Sequence, residues 1–325
     1  MPLLFTPGKL GALETRNRFV RAATFEAMAG EHGEVTPSLL KVYQQLAKGE
    51  VGLVITGMMY VHPQGKAYPR QTGIYDDAML PGLTSLTDAV HEHGGKVIFQ
   101  LAHSGRQTTK EVIGRTPFSP SRSLPDSTYL VWPRAMTEDD ILQTIEAFGK
   151  AARLAVAAGA DGIELHAANG YLLNQFLSPF FNRRRDAWGG SAENRFRYVK
   201  EVYDRVRDAL PAGMPLIVKL NTYEHTPLRG ITPELALSYA RWLAELGIDA
   251  LEPAAGTVSF SNFHIWRGAV PTRDIVRALP FWLKLGGYLM LRNMEGKFDF
   301  SGGYLIPVLR SLRAVTKGVP LFSGG

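Results

Sequence analysis

Seven short, nearly continuous apolar runs, separated by stretches of helical period, constrain this 325-residue chain more than any other feature. The runs are NRFVRAA (17–23), VGLVITG (51–57), KVIFQLA (96–102), DGIELH (161–166), PLIVKLN (215–221), IDALEPA (248–254) and PLFSGG (320–325). Strands that are apolar throughout belong to parallel sheets covered on both faces. Between them, Thr36-Pro37 places an N-cap and a first-turn proline ahead of a helix to about Lys48. Further helices are expected around 79–93, 191–209, 232–246 and 304–316. Thr137 and Asp140 form a capping box for a helix whose Ile141, Ile145, Phe148, Ala152 and Val156 share one face. Such alternation allows a closed barrel or an open doubly wound sheet. No strand is followed by GxGxxG, which favours the barrel. The expected fold class is therefore α/β, a (β/α)8 TIM barrel with the sequence ending after the seventh strand. One domain over 1–325 is expected, with an N-terminal cap at 1–16 and a loop insertion or lid at about 255–302. A full barrel needs an eighth strand, so the chain as given is expected to be truncated or incompletely represented.

The fourth run ends in the strongest chemical signal. DGIELHAANGY (161–171) closes a strand with His166, Asn169 and Tyr171, three hydrogen-bonding side chains within six residues. The carboxyl ends of barrel strands are where chemistry is placed. A phosphate-binding isomerase or aldolase would want a lysine or a carboxylate pair at this point, and the run offers His, Asn and Tyr instead.

Composition removes several alternatives. With no cysteine there is no disulfide, thiolate zinc site, cysteine nucleophile or cysteine-held iron–sulfur cluster. No metal site is expected. MPLLFTPGKL lacks the pattern of a secretory signal, and no uncharged apolar run reaches membrane-spanning length. A cytoplasmic enzyme is the default expectation. The net charge of +6 suits a phosphate-bearing ligand or an undirected basic surface. Lysine and arginine are spread along the chain, and Asp186 and Glu193 follow the densest run, Arg183-Arg184-Arg185, so nucleic acid is not expected.

HAANGYLLNQFLSPFFNRRRDAWGGSAENR (166–195) resembles the signature of the old yellow enzyme family, the flavin-dependent ene-reductases. QLAHSGRQ (100–107) resembles the family's third-strand motif, and NRFV (17–20) and the terminal glycines fall in the same order. The resemblance implies FMN held noncovalently at the carboxyl end of a barrel. NADPH or NADH reduces it, and an activated alkene is then reduced. His166 and Asn169 become the pair that binds the substrate oxygen, where negative charge develops. Tyr171 becomes the acid that protonates carbon. Gln100 suits the carbonyl and ring N–H of the flavin's pyrimidine edge. Lys219 stands where relatives carry Arg and would supply a cation to the reduced flavin, as a point charge without a planar fork. Ala23 and Thr24 lie where backbone meets flavin, and Phe25 occupies or adjoins the position that tunes it. Met58 is expected to make a backbone contact, and Gly324 and Gly325 to bind phosphate.

His103 and Arg106 are read as structural. Phe260, Phe263, His264, Trp266 and Trp282 form either a lid or a second packed layer. The expected partner is a small-molecule activated alkene, with no nucleic acid and no membrane; a homo-oligomer is allowed. Reduction of quinones or nitro compounds, and a non-catalytic flavin- or ligand-binding barrel, are the alternatives.

Overall fold

The computed structural model describes residues 2–322 except 123, 124, 127, 262–264, 266, 267, 300 and 301. A hairpin of β1 (Gly8–Leu10) and β2 (Leu13–Thr15) comes first. The sheet is built from β3 (Val20–Arg21), β4 (Leu53–Ile55), β5 (Met59–Tyr60) and β6 (Val97–Ala102). After a small pair, β7 (Phe118–Ser119) and β8 (Arg134–Ala135), it continues with β9 (Gly162–Ala167), β10 (Leu216–Asn221) and β11 (Ala250–Ala254). The main strands run parallel in the order β3-β4-β6-β9-β10-β11, with β5 added beside β6. A parallel bridge from Leu251 to Leu321 sets the seventh apolar run against β11. Each apolar run between 51 and 254 thus becomes a strand, shorter than its run except β9, which keeps six residues and shifts by one.

Helices α1 (Pro37–Lys48), α2 (Leu80–His91), α4 (Glu138–Ala157), α6 (Ala192–Arg207), α7 (Pro233–Leu246) and α10 (Ile306–Val315) fill the steps between strands. Four begin with a hydroxyl cap. Thr36, Thr137, Ser191 and Thr232 each accept a backbone N–H of their own first turn, a contact typically worth about 1 kcal/mol. Asp140 returns the bond at Thr137, completing the capping box. Within the long connection at 103–136 lies α3 (Lys110–Ile113). The stretch that showed no clean period holds α8 (Thr272–Ala278) and α9 (Lys284–Arg292). They close over a small core of their own, Val270, Leu291 and Phe298.

Alternation along the strands divides the core in two. Val97, Phe99 and Leu101, with Ile163, Leu165, Leu216 and Val218, face the helices and join the main cluster. Ile98 and Ile217 point the other way. They share a second cluster with Leu53, Ile55, Ala250 and Leu10 of the hairpin. Two residues further along those same inward rows stand Gln100 and Lys219, joined by Glu164 of β9 and Glu252 of β11. Parallel register aligns them: Gln100 opposite Glu164, Lys219 opposite both His166 and Glu252. The inner face is therefore apolar near the hairpin and polar toward the carboxyl ends.

Glu224 fastens the loop after β10 to α5 (Leu172–Leu177). Its fully buried carboxyl accepts from Ser178 Oγ (2.5 Å), Asn174 Nδ2 (3.1 Å) and Ile231 N (2.8 Å). Burial pushes the group up to about 7 from 4.5, and the three donors only partly counter it. As pH rises from about 4.5 towards 7, the unfolded chain releases this proton while the folded chain keeps it. Stability should therefore fall across that window, by as much as ~3 kcal/mol, and level off above it. Denaturation curves across the window should show Glu224→Gln with a flatter pH dependence than the parent. An unchanged slope would mean the carboxyl is already ionised.

Candidate active site

The sequence folds locally to turn β9 into a cluster of donors. Glu164 and His166 alternate with Ile163 and Leu165 and so share the inward face. Beyond Ala167 the backbone turns through left-handed conformations at Asn169 (φ 57°) and Gly170 (φ 83°). Asparagine tolerates that region among non-glycine residues. Glycine suits the next position, because its φ lies where L side chains are strained, and a Cβ there would also meet Gln107 Nε2 at 2.7 Å. Gly170 N donates to Asn174 Oδ1 (2.6 Å), which locks the turn to the start of α5. Tyr171 is thereby folded back beside His166, the ring centroids 4.9 Å apart.

His166, Asn169 and Tyr171 line one cavity of about 520 Å³. So do Ala23 and Thr24 after β3, Met58 after β4, Gln100 in β6 and Lys219 in β10. With Phe25, nine residues singled out from sequence, on five different strand ends, thus share one space. Gly324 and Gly325 lie outside the described residues, as do Phe263, His264 and Trp266. His103 and Arg106 are not among the residues that line the cavity, and both are buried. Arg106 Nε meets Asp126 Oδ2 at 3.2 Å, and its guanidinium lies over the rings of Phe181 and Phe260. Of the insertion, Val258 and Ile265 reach the cavity. Phe260 packs edge-on against Phe180 below it, while Trp282 stands 75% exposed on a separate turn.

Electrostatics follow from burial. Desolvation, then the Lys219 ammonium, holds His166 well below the ordinary histidine range, so its imidazole is neutral. Its Nδ1 is buried without a hydrogen-bond partner. Tyr171 is held well above the usual phenol range by burial, then by Tyr68 and Tyr129, so it stays protonated. The Asn169 amide has only a long contact, Nδ2 to Ala255 O at 3.5 Å. Two neutral donors and a protonated phenol therefore converge with little internal demand on them.

Two positions differ from expectation. Lys219 is not a lone cation: Nζ meets Glu252 Oε1 at 2.7 Å. Burial pulls its ammonium down, but Glu252 and Glu164 outweigh that and hold it above the ordinary lysine value. Gln100 spends its Nε2 on Glu164 Oε2 at 2.5 Å. Sequence reasoning also missed Tyr68 and Tyr129, which line the cavity from irregular loops. Their hydroxyls bond at 2.8 Å, and Tyr68 Oη stands 3.4 Å from Tyr171 Oη. Phe25 stacks on Tyr68 with centroids 5.0 Å apart. Nothing local in the sequence marks these tyrosines, since the loops carrying them have no period. Glu164 and Glu252 were visible as charges inside apolar strands, a signal that was there to be used.

The donor set suits a flavin's ring. A neutral amide, a cation and backbone at two strand ends surround a cavity within the size range of cofactor sites, and the neutral imidazole of His166 lines the same cavity. Among the described residues no group of His, Asp and Glu could hold a metal ion, and no helix is long and apolar enough to cross a membrane.

Fold and site together define a parallel α/β protein with a candidate site at the carboxyl ends of its strands. Residues 3–266 match the model of the NADH:flavin oxidoreductase / NADH oxidase family. An NADPH dehydrogenase of Bacillus licheniformis is 38% identical over 277 residues, which is 85% of this chain and 80% of the relative. The old yellow enzyme homologue of Zymomonas mobilis superposes with a TM-score of 0.73 at 32% identity, over 79% of this chain and 74% of that one. Morphinone reductase does so at 0.70 and 31%, over 78% and 71%. The chain belongs to the NADH:flavin oxidoreductase / NADH oxidase family, the old yellow enzymes. It is an FMN-dependent oxidoreductase that uses NADPH or NADH.

Proposed function

We propose that this protein reduces the C=C bond of activated alkenes, α,β-unsaturated carbonyl compounds, on a single domain over 1–325 that forms a (β/α)8 barrel up to its seventh strand. The convergence of neutral His166, Asn169 and protonated Tyr171 in one cavity carries this reading. FMN, when bound, supplies the two-electron chemistry that links nicotinamide to alkene. Gln100, Lys219, Met58, Ala23 and Thr24 would hold its ring. His166 and Asn169 bind the carbonyl oxygen of the substrate. Negative charge grows on that oxygen as the β carbon is reduced, so two fixed donors favour the transition state over the ground state. A neutral imidazole serves as such a donor without losing its own proton. Tyr171 then gives a proton to the α carbon, a role its raised pKa preserves at neutral pH. Phe25, Tyr68, Val258 and Ile265 give the cavity apolar walls, as a small unsaturated carbonyl compound requires.

Purified protein loaded with FMN should bleach under anaerobic NADPH and regain its spectrum on adding cyclohexenone. A flavin that bleaches but returns only with quinones or nitro compounds would overturn the alkene assignment. Protein that takes up no FMN would overturn the flavin reading altogether. In stopped flow, Tyr171→Phe should slow reoxidation by the enone roughly 10²-fold or more and leave reduction by NADPH nearly unchanged. Equal slowing of both halves would make Tyr171 a positioning residue.

A further inference from the structure

We infer that Glu252 neutralises Lys219 and that Glu164 carries a proton donated to Glu252, so that a bound flavin faces a closed ion pair and not a free cation. The inference rests on the cofactor reading of the cavity and concerns two carboxyls that the catalytic reading does not use.

The geometry starts from register. Lys219 sits opposite Glu252 on one side and His166 on the other, and Glu164 precedes His166 by two residues on the same inward face. Lys219 and Gln100 line the cavity, while both glutamates stand behind them. Their residues are 0% and 4% exposed, so water does not screen them. Lys219 Nζ contacts Glu252 Oε1 at 2.7 Å, and Gln100 Nε2 donates to Glu164 Oε2 at 2.5 Å. One oxygen of each carboxyl is then left over. Glu164 Oε1 and Glu252 Oε2 are both buried and have no donor. Glu252 acts on Glu164 both as a neighbouring charge and as a hydrogen-bond partner, so two anionic carboxylates in that state would combine like-charge repulsion with two unsatisfied acceptors.

One proton resolves both problems. Placed on Glu164, it turns an orphaned acceptor into a donor for the neighbouring carboxylate. The choice of Glu164 follows from its partners: Glu252 has the ammonium, whereas Glu164 has only a neutral amide. Burial, then the Glu252 charge, also holds the Glu164 carboxyl well above its usual range. The other titratable groups facing Lys219 are His166, which is neutral, and Tyr304. The trio of Lys219, Glu252 and Glu164 then sums to zero charge. A lone ammonium would attract negative charge placed on the flavin's pyrimidine end, and this paired one does so far less.

Sulfite tests the charge, because its addition puts negative charge on an oxidised flavin and bleaches it. Glu252→Gln should free the Lys219 charge and tighten sulfite binding to the FMN-loaded protein on the order of 10- to 100-fold, with an accompanying rise in reduction potential. Glu164→Gln, which mimics the protonated acid, should change sulfite affinity by less than about threefold. Unchanged affinity in Glu252→Gln, or an equally large effect in Glu164→Gln, would overturn the assignment. Glu252→Asp, which keeps the charge, should stay near the parent and guards against a packing artefact in the glutamine variant. Infrared difference spectra at neutral pH test the proton without using the flavin. In a Glu224→Gln background, which removes the other buried carboxyl that holds a proton near neutral pH, the carbonyl band of a buried protonated carboxyl should be present and should vanish when Glu164→Gln is added; its absence from that background would also overturn the proposal. A band present in protein that binds no FMN would instead sink the cofactor reading and leave the carboxyl pair standing.

Discussion

The double variant His166→Ala, Asn169→Ala is expected to remain yellow with bound FMN and to lose enone reduction by at least ~10³-fold. Loss of one such donor typically costs about 10²–10³ in rate. The two act on one oxygen, so removing both should cost at least as much as the larger single loss. Flavin retention follows from position: the residues proposed to hold the ring sit on β6, β10 and the loops after β3 and β4, while the pair sits on β9 and its turn. Phenols, which present an oxygen to the same donors, should lose their binding as well, and reduction by NADPH should be the least affected step. Stopped-flow measurement of the two half-reactions decides the matter. Enone turnover near that of the parent would remove the pair from the mechanism.

Arg106→Ala should be the most damaging single change to stability. The side chain is wholly buried, with Nε 3.2 Å from the buried Asp126 carboxylate. Truncating it leaves that carboxylate without its cation, a loss typically of about 3–5 kcal/mol. It also opens space between Phe181 and Phe260. The consequence reaches the site, because Asp126 Oδ1 accepts from the N–H groups of Thr128 and Tyr129, both at the cavity. Urea denaturation should therefore show a large fall in midpoint, and substrate affinity should weaken with it. Arg106→Lys should recover only part of the loss, since lysine keeps the charge without the planar fork. A shift below about 1 kcal/mol would show that the pair contributes little.

What could be read from sequence here was what short-range chemistry determines. Buried parallel strands declare themselves as apolar runs, and Thr137 with Asp140 declares a helix start, because the forces involved act within a few residues. His166, Asn169 and Tyr171 were legible for the same reason: one strand end and one turn carry them all. The state of Lys219 was not legible. Its charge depends on a glutamate 33 residues later, and only the register of β10 against β11 brings the two together. Tyr68 and Tyr129 were missed because irregular loops deliver them. In the stretch at 255–302, Leu285, Leu289 and Met290 of α9 stay exposed and only Leu291 joins a small core with Val270 and Phe298, so no apolar period was there to find.

The two layers on the inner face of the sheet divide what evolution can change. Leu10, Leu53, Ile98 and Ile217 form a floor in which substitutions are felt as folding energy. Phe25, Tyr68, Val258 and Ile265 hang from loops above the polar layer, where a change in side chain reshapes the cavity with little effect on the floor. Diversity confined to those four loop positions should broaden the range of accepted compounds while expression yield holds. The same number of changes in the floor should exhaust the protein before any new activity is found.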